Sequence, residues 1–243
     1  MITIAIGVGE NKNILKAIDI FKKDNDCKII AIHDENELIN SIYDKNTDIV
    51  IRGSLNSYNI LKTLKSKNPN ISRATYIKSE SNEFLLSPVG IDEGNSIGEK
   101  FEIVKNSIKF LNDLGKTPKI AILSNGRKDD YGRCKDIDKS LKESEELYNI
   151  INDNLKVDIK NYYILIEDAI KEKNNIIITP NGIIGNYLFR TLVLIDSWPS
   201  CGAITFGLDK IYIDTSRSQS VDGYLRSINL GHNILIDRLN KNK

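Results

Sequence analysis

"TPNGIIGNYLFRT", residues 179–191, is the stretch on which the reading of the fold turns. It follows directly on the apolar run "NIIIT", which has the length and β-branched content of a buried strand. Pro180 ends that strand, Asn181 and Gly182 make a turn, and Gly185 permits close packing in the first turn of the amphipathic segment that follows. Asn186 and Arg190 are four residues apart and share one face of that helix. Two readings are open at this point: a tight strand-to-helix turn, or the floor of an anion-binding site.

Working outward, the same strand-then-helix alternation recurs along the chain. "ITIAIGV" reads as a strand and "NILKAIDIFKK" as a helix, followed by the pairs "CKIIAIH" with "ENELINSIYDK" and "DIVIR" with "SYNILKTLKS". "ISRATYIKS" and "EFLLSPVG" read as two adjacent, antiparallel strands, and "EKFEIVKNSIKFLNDLG" as a long helix stopped by Gly115 and Pro118. "KIAILS" is a strand, a helix is expected near 135–153, and "YYILI" (strand) precedes "EDAIKEK" (helix). "GAITFG" and "KIYID" are strands, and a helix of about twenty residues closes the chain from Val221. Strands alternating with helices predict an α/β fold with largely parallel sheets. Ligands in such sheets gather where strands end and helices begin.

The strand-end loops are therefore the places to look for chemistry. "GVGENK" is a loose glycine-rich turn without full dinucleotide-binding spacing. In "IRGSLNS", Arg52 is a fork of donors at a strand end, Gly53 permits close backbone approach, and Ser54, Asn56 and Ser57 are capping types. In "LSNGRKDDYGR", Ser124, Asn125 and Gly126 make a turn beside Arg127, Lys128 and Arg133, a combination suited to phosphate. Asn181, Gly182, Gly185, Asn186 and Arg190 form the opening stretch. "DTSRSQSVDGYLRS" places Thr215, Ser216 and Ser220 ahead of the last helix, with Arg217 as a strand-end cation. Each loop also has a plain structural explanation as a turn, a helix cap or a solvated charged segment.

The bulk numbers narrow the classes. The 243 residues carry 34 basic against 33 acidic side chains, for a net charge of +1 and no basic run, which argues against a nucleic-acid binder. Three widely spaced cysteines, Cys27, Cys134 and Cys201, with no CxxC pair and no signal-peptide pattern, suggest a reducing, cytoplasmic setting. Cys201 is expected to be a small buried thiol. Only two histidines occur, so no metal site is expected. Apolar runs reach about half a bilayer span, too short for a membrane helix.

On these residues the chain resembles a known superfamily. "NGIIGNYLFRT" is similar to the signature of the phosphate acyltransferases of phospholipid synthesis, and "PNGIIGN" to the matching stretch of phosphate acetyl- and butyryltransferases. "GLDKIYIDTSRSQSV" resembles the acetyltransferase C-terminal motif, "GVGENKNILKAI" the opening, "IRGSLNS" a small-residue loop and "KIAILSNG" a later strand and loop. The motifs keep their order over nearly the whole chain. The variant details resemble the methanogen branch called methanogenesis marker protein 4 or MtxX, described as methyltransferase-related.

The resemblance implies an isocitrate/isopropylmalate-dehydrogenase-like fold with two α/β lobes and an interlobe cleft. Residues 1–69 with 207–243 would form the first lobe and 70–206 the second, in one integrated unit. It further implies acyl or related group transfer involving phosphate, acyl-phosphate or a coenzyme A-type thiol, with no tightly bound cofactor, and a homodimer. Ser216 and Arg217 match the acetyltransferase Ser-Arg, and Asn186 and Arg190 match the asparagine and lysine of the Gly-Asn motif. Asn181 replaces an acidic residue. The catalytic aspartate that follows the motif serine by seven residues falls at Gly223, with Asp222 one position earlier and turned by about 100° on a helix. The alternatives are a non-catalytic anion- or coenzyme A-binding factor of methanogenesis, or a methyltransferase-related protein.

Overall fold

The structure, a computed structural model, describes residues 1–241 and divides into two compact units. One comprises Met1–Ile71 with Pro199–Lys243, the other Ser72–Trp198. The fold is α/β in both.

In the first unit, strands β1 (Ile2–Gly7), β2 (Cys27–Ile32), β3 (Ile49–Ile51), β9 (Ser200–Phe206) and β10 (Ile211–Asp214) lie in the order β2-β1-β3-β10-β9. The first four run parallel, with Ile4 opposite Ile49 and Ile211 opposite Ile49 on its other side. β9 joins β10 antiparallel, with Ile213 opposite Ile204. That pairing assigns Ser200–Phe206 to this unit, whereas the sequence boundary at 206/207 had grouped it with the other lobe. Helices α2 (Glu35–Tyr43) and α3 (Tyr58–Lys67) cover one face through Leu38, Ile39, Ile42, Ile60 and Leu64, packed on Ala5, Val50 and Tyr212. Helix α1 (Asn13–Asp24) packs against the long α8 (Val221–Lys241), which also lies on β3, β9 and β10.

The second unit orders β4 (Ser72–Lys78), β5 (Glu83–Ser87), β6 (Lys119–Leu123), β7 (Asp158–Tyr163) and β8 (Ile176–Ile178) as β4-β5-β8-β6-β7. β4 and β5 are antiparallel, as their sequence suggests, and the remainder is parallel. Helix α4 (Ile97–Asp113) starts at Ser96, whose hydroxyl accepts from the Glu99 N–H, and stops at Gly115 with φ +70°. It packs on α5 (Lys135–Asn154), β4 and β8.

Three elements differ from the sequence reading, the first being β5, which ends at Ser87 and not at Gly90 as "EFLLSPVG" suggests. The strand expected at "YYILI" instead runs Asp158–Tyr163, and α6 (Ile166–Lys171) starts where it was to end. β7 pairs only with β6 at the sheet edge, so polar side chains alternate outward along it and mask its pattern. Beyond helix α7 (Gly182–Phe189), residues Arg190–Ile195 continue as a π-helical turn that periodicity does not reveal.

Candidate functional site

In each unit the parallel strands present their C-terminal ends along one edge, and all the loops singled out from the sequence sit on these edges.

In the first unit the loops after β1, β3 and β10 are tied into a knot. The Ser54 N–H donates to the Gly7 carbonyl at 3.1 Å, and the Gly9 N–H donates to Ser54 Oγ at 2.8 Å. Thr215 Oγ1 donates to the Gly53 carbonyl at 2.7 Å. Gly53 has φ +62°, and a Cβ there would lie 1.8 Å from the Gly7 oxygen, so only glycine fits. Ser54 is thus a bridge between loops, not the helix cap its residue type suggests; Asn56 Oδ1 accepts from the Tyr58 N–H instead. Arg52, expected to point at an anion, is buried: its Nε donates to Asp214 and its NH1 to the Leu55 carbonyl. That guanidinium holds the knot together.

The cation left over is Arg217. Its side chain is exposed, and among the described residues its guanidinium meets no acceptor. The loop carrying it is fixed through its backbone. Asn11 Nδ2 donates to the Arg217 carbonyl at 2.9 Å and to the Gln219 carbonyl at 3.0 Å. Tyr224 Oη lies 3.0 Å from the Ser216 carbonyl and 3.2 Å from that of Arg217. Burial pushes the Tyr224 phenol above its ordinary pKa, against the opposing charge of Arg52, so it stays a donor at neutral pH. Ser216 is half-exposed, and its Oγ accepts from the Ser218 N–H at 3.3 Å. Ser220 Oγ accepts from the Gly223 N–H at 3.1 Å, capping α8.

Asp222 is exposed on the first turn of α8. Gly223 beside it is buried, and a Cβ there would lie 2.3 Å from Cδ of Gln219. The buried Gln219 side chain fills the space a longer residue 223 would need.

In the second unit the opening stretch packs on "SPVGIDEG", residues 87–94, a loop whose first residues the sequence places in the strand "EFLLSPVG"; that strand ends at Ser87. Asn181 caps α7, its Oδ1 accepting from the Ile184 N–H at 3.0 Å. The Gly182 N–H donates to the Glu93 carbonyl, and a Cβ on Gly182 would sit 1.6 Å from the Gly90 oxygen. Gly185 presses similarly on the Pro88 carbonyl, and Asn186 Nδ2 donates to the Val89 carbonyl at 3.1 Å. The Gly-Asn pair thus binds its own chain, while Arg190 is exposed at the end of α7. Beneath the loop, buried Arg73 donates from Nε to Glu93 Oε1 at 2.7 Å.

After β6, Ser124 is buried with its Oγ donating to the Gly126 carbonyl, and the Asn125 N–H donates to Ser140 Oγ. Arg127 and Lys128 are exposed, whereas Arg133 pairs with Asp130 at 2.7 Å and holds that carboxyl below its usual range. Among the described residues no cluster of metal-ligand type occurs, and no helix is long and apolar enough to cross a membrane. Cys201 is buried in β9, as expected. Two cavities of about 390 and 420 Å³ are lined by residues such as Tyr43, Asp48 and Lys210, and Tyr76, Glu83 and Asn175; none of the sequence-predicted site residues lines either.

Solved structures define the fold. A branched-chain phosphotransacylase from Enterococcus faecalis matches with a TM-score of 0.76 at 20% identity, covering 97% of this chain and 99% of that one. An isocitrate dehydrogenase from Methylococcus capsulatus matches with a TM-score of 0.57 at 8% identity, over 96% and 86% of the two chains. The fold is the one shared by phosphotransacylases and isocitrate dehydrogenase. No family model matches the chain. A Methanocaldococcus jannaschii protein named "Uncharacterized methyltransferase MJ1371" is 35% identical over 237 residues, 94% of this chain and 96% of that protein. A Methanosarcina mazei protein named "Putative methyltransferase mtx subunit X" is 34% identical over 203 residues, 82% of this chain and 72% of its own. The chain belongs to this methanogen family, the one called methanogenesis marker protein 4 or MtxX.

Proposed function

We propose that the chain is a phosphotransacylase-type group-transfer protein whose Ser216–Arg217 loop holds phosphate or the phosphate end of an acyl phosphate. The acyl acceptor in this reading is a thiol of the coenzyme A kind, bound as substrate. The observation that carries it is Arg217: a guanidinium without a partner among the described residues, on a loop anchored through its carbonyls beside the N-terminus of α8.

The chemistry follows from that charge. The thiolate sulfur attacks the acyl carbon and forms the C–S bond; the C–O bond to phosphate then breaks, and phosphate leaves with the electron pair. Arg217 offsets negative charge on the phosphate side throughout. No carboxylate replaces Gln219 in the space beside Gly223, and Asp222 faces solvent. The thiol must then ionise before binding, and with a free thiol pKa near about 8.5 the rate rises roughly tenfold per pH unit between pH 6 and 8.

Acetyl-, butyryl- and longer acyl phosphates assayed with coenzyme A against wild type and Arg217→Ala test this directly. Turnover that disappears in the variant supports the transfer reading. The filled position beside Gly223 favours a second one, a phosphate- or coenzyme A-binding factor without turnover; stabilisation by either ligand with no product would select it. A homodimer goes with both readings: Ile183, Tyr187 and Ile195 are 52%, 68% and 79% exposed on α7 and its π-helical extension. Light scattering returning a monomer would remove it.

A further inference from the structure

We propose that Asn11 and Tyr224 are positioning residues for the anion, setting its affinity through the Ser216–Arg217 backbone without touching it. The inference rests on the anion-binding reading above.

Both side chains converge on one atom from different elements. Asn11 comes from the loop after β1 and Tyr224 from the first turns of α8, and the Arg217 carbonyl accepts from each, at 2.9 and 3.2 Å. Asn11 also holds the Gln219 carbonyl, supported by Asn13 Nδ2 at 3.5 Å, and the single Tyr224 O–H proton is shared between the Arg217 carbonyl and that of Ser216, the nearer of the two at 3.0 Å. Three carbonyls of a five-residue turn are therefore drawn inward. In a trans peptide the N–H of the next residue points the opposite way to the carbonyl. Drawing in the Ser216 and Arg217 carbonyls turns the N–H groups of Arg217 and Ser218 away from them. The Ser218 N–H reaches Ser216 Oγ at 3.3 Å, while that of Arg217 has no acceptor among the described residues.

The positions suit this task. Tyr224 is fully buried, its ring fixed between α8 and the knotted loops, so its hydroxyl has one place to be. Asn11 is half-buried, and its amide reaches carbonyls more than 200 residues away in sequence. Neither side chain adds to the anion site's charge. What they supply is preorganisation, which removes ordering cost from the binding step.

The test is inorganic phosphate titrated by calorimetry into wild type, Tyr224→Phe, Asn11→Ala, Arg217→Ala and the double variants with Arg217→Ala. Melting temperatures are measured in parallel without phosphate. Tyr224→Phe and Asn11→Ala are each expected to weaken phosphate about tenfold, the scale of one or two hydrogen bonds. In the Arg217→Ala background the same substitutions should cost less than in wild type but more than nothing, because the outward N–H groups remain while the guanidinium they help to place is gone. A merely structural role would lower melting temperature alike in both backgrounds and leave single-variant affinity unchanged, which overturns the proposal. If wild type binds no phosphate at millimolar concentration, the anion reading falls and takes the positioning role with it. If Arg217→Ala loses binding while Tyr224→Phe and Asn11→Ala keep it, only the positioning role falls.

Discussion

Both units finish the C-terminal edge of their sheet with a buried arginine–carboxylate pair and a glycine pressed against a carbonyl, but over different spans of chain. In the second unit Arg73 and Glu93 are 20 residues apart, and the glycine contact joins neighbouring strands β5 and β8. In the first, Arg52 and Asp214 are 162 residues apart, and the knot needs the loops after β1, β3 and β10 together. The second edge uses its motif residues to bind its own backbone. The first does likewise with Arg52, Gly53 and Ser54, and both edges leave arginines exposed, Arg127 and Arg190 in the second and Arg217 in the first. A motif rich in glycine and arginine is therefore no guide by itself to where a ligand sits.

The strongest way to break the comparison is at the glycines. Gly53→Ala and Gly182→Ala each place a Cβ under 2 Å from a carbonyl oxygen, so each should cost more than about 4 kcal/mol in urea denaturation. Hydrogen exchange should show the first opening around β3 and β10, and the second around β5 and β8. Protection lost evenly across both units would mean that the two edges do not fold as separate devices.

Next come the ion pairs. Arg52→Met and Arg73→Met each strand a buried carboxylate, for an expected loss of about 3 kcal/mol. Replacing both partners of a pair by apolar residues should recover most of it. Failure to recover at Arg52–Asp214 alone would show that the knot needs the hydrogen bonds as well as the charge balance.

Smaller effects probe the capped helices. Gly223→Asp should lose about 2 kcal/mol through overlap with Gln219, and Gln219→Ala should relieve it. Asn181→Ala removes the cap of α7 for about 1 kcal/mol. Arg217→Ala, on an exposed side chain, should change stability by less than about 0.5 kcal/mol while affecting phosphate most. A large stability loss there would mean the guanidinium has structural work after all.

Much of this was legible in the residues. The strand and helix alternation follows from period and caps, because each element carries its own pattern; the antiparallel β4–β5 pair and the stop at Gly115 were readable for that reason. Gly185 was readable as a close contact and Gly182 as a turn, but their partner was not, since "SPVG" reads as the end of a strand and only the sheet brings it to α7. Arg52 announced a strand-end cation, while Asp214 as its partner depends on a register between β3 and β10 that no local window contains. Asn11, Gln219 and Tyr224 were missed for the same reason: each acts on a segment brought close only by the sheet. The "DTSRSQS" and "VDGY" stretches side by side offered one usable hint, a small residue at 223 four positions after a long one at 219.

The parallel pairing of β3 with β10 also bears on how the chain is made. When Ile71 leaves the ribosome the first unit has only β2, β1 and β3, and the 127 residues of Ser72–Trp198 come before its remaining strands. At about 5–20 residues per second that is a wait on the order of ten seconds. Throughout it the open side of β3, and Arg52 without Asp214, face whatever else is in the cell. The unit Ser72–Trp198 is therefore complete before the other, and a chaperone that shields half-built sheets would find its substrate in Met1–Ile71.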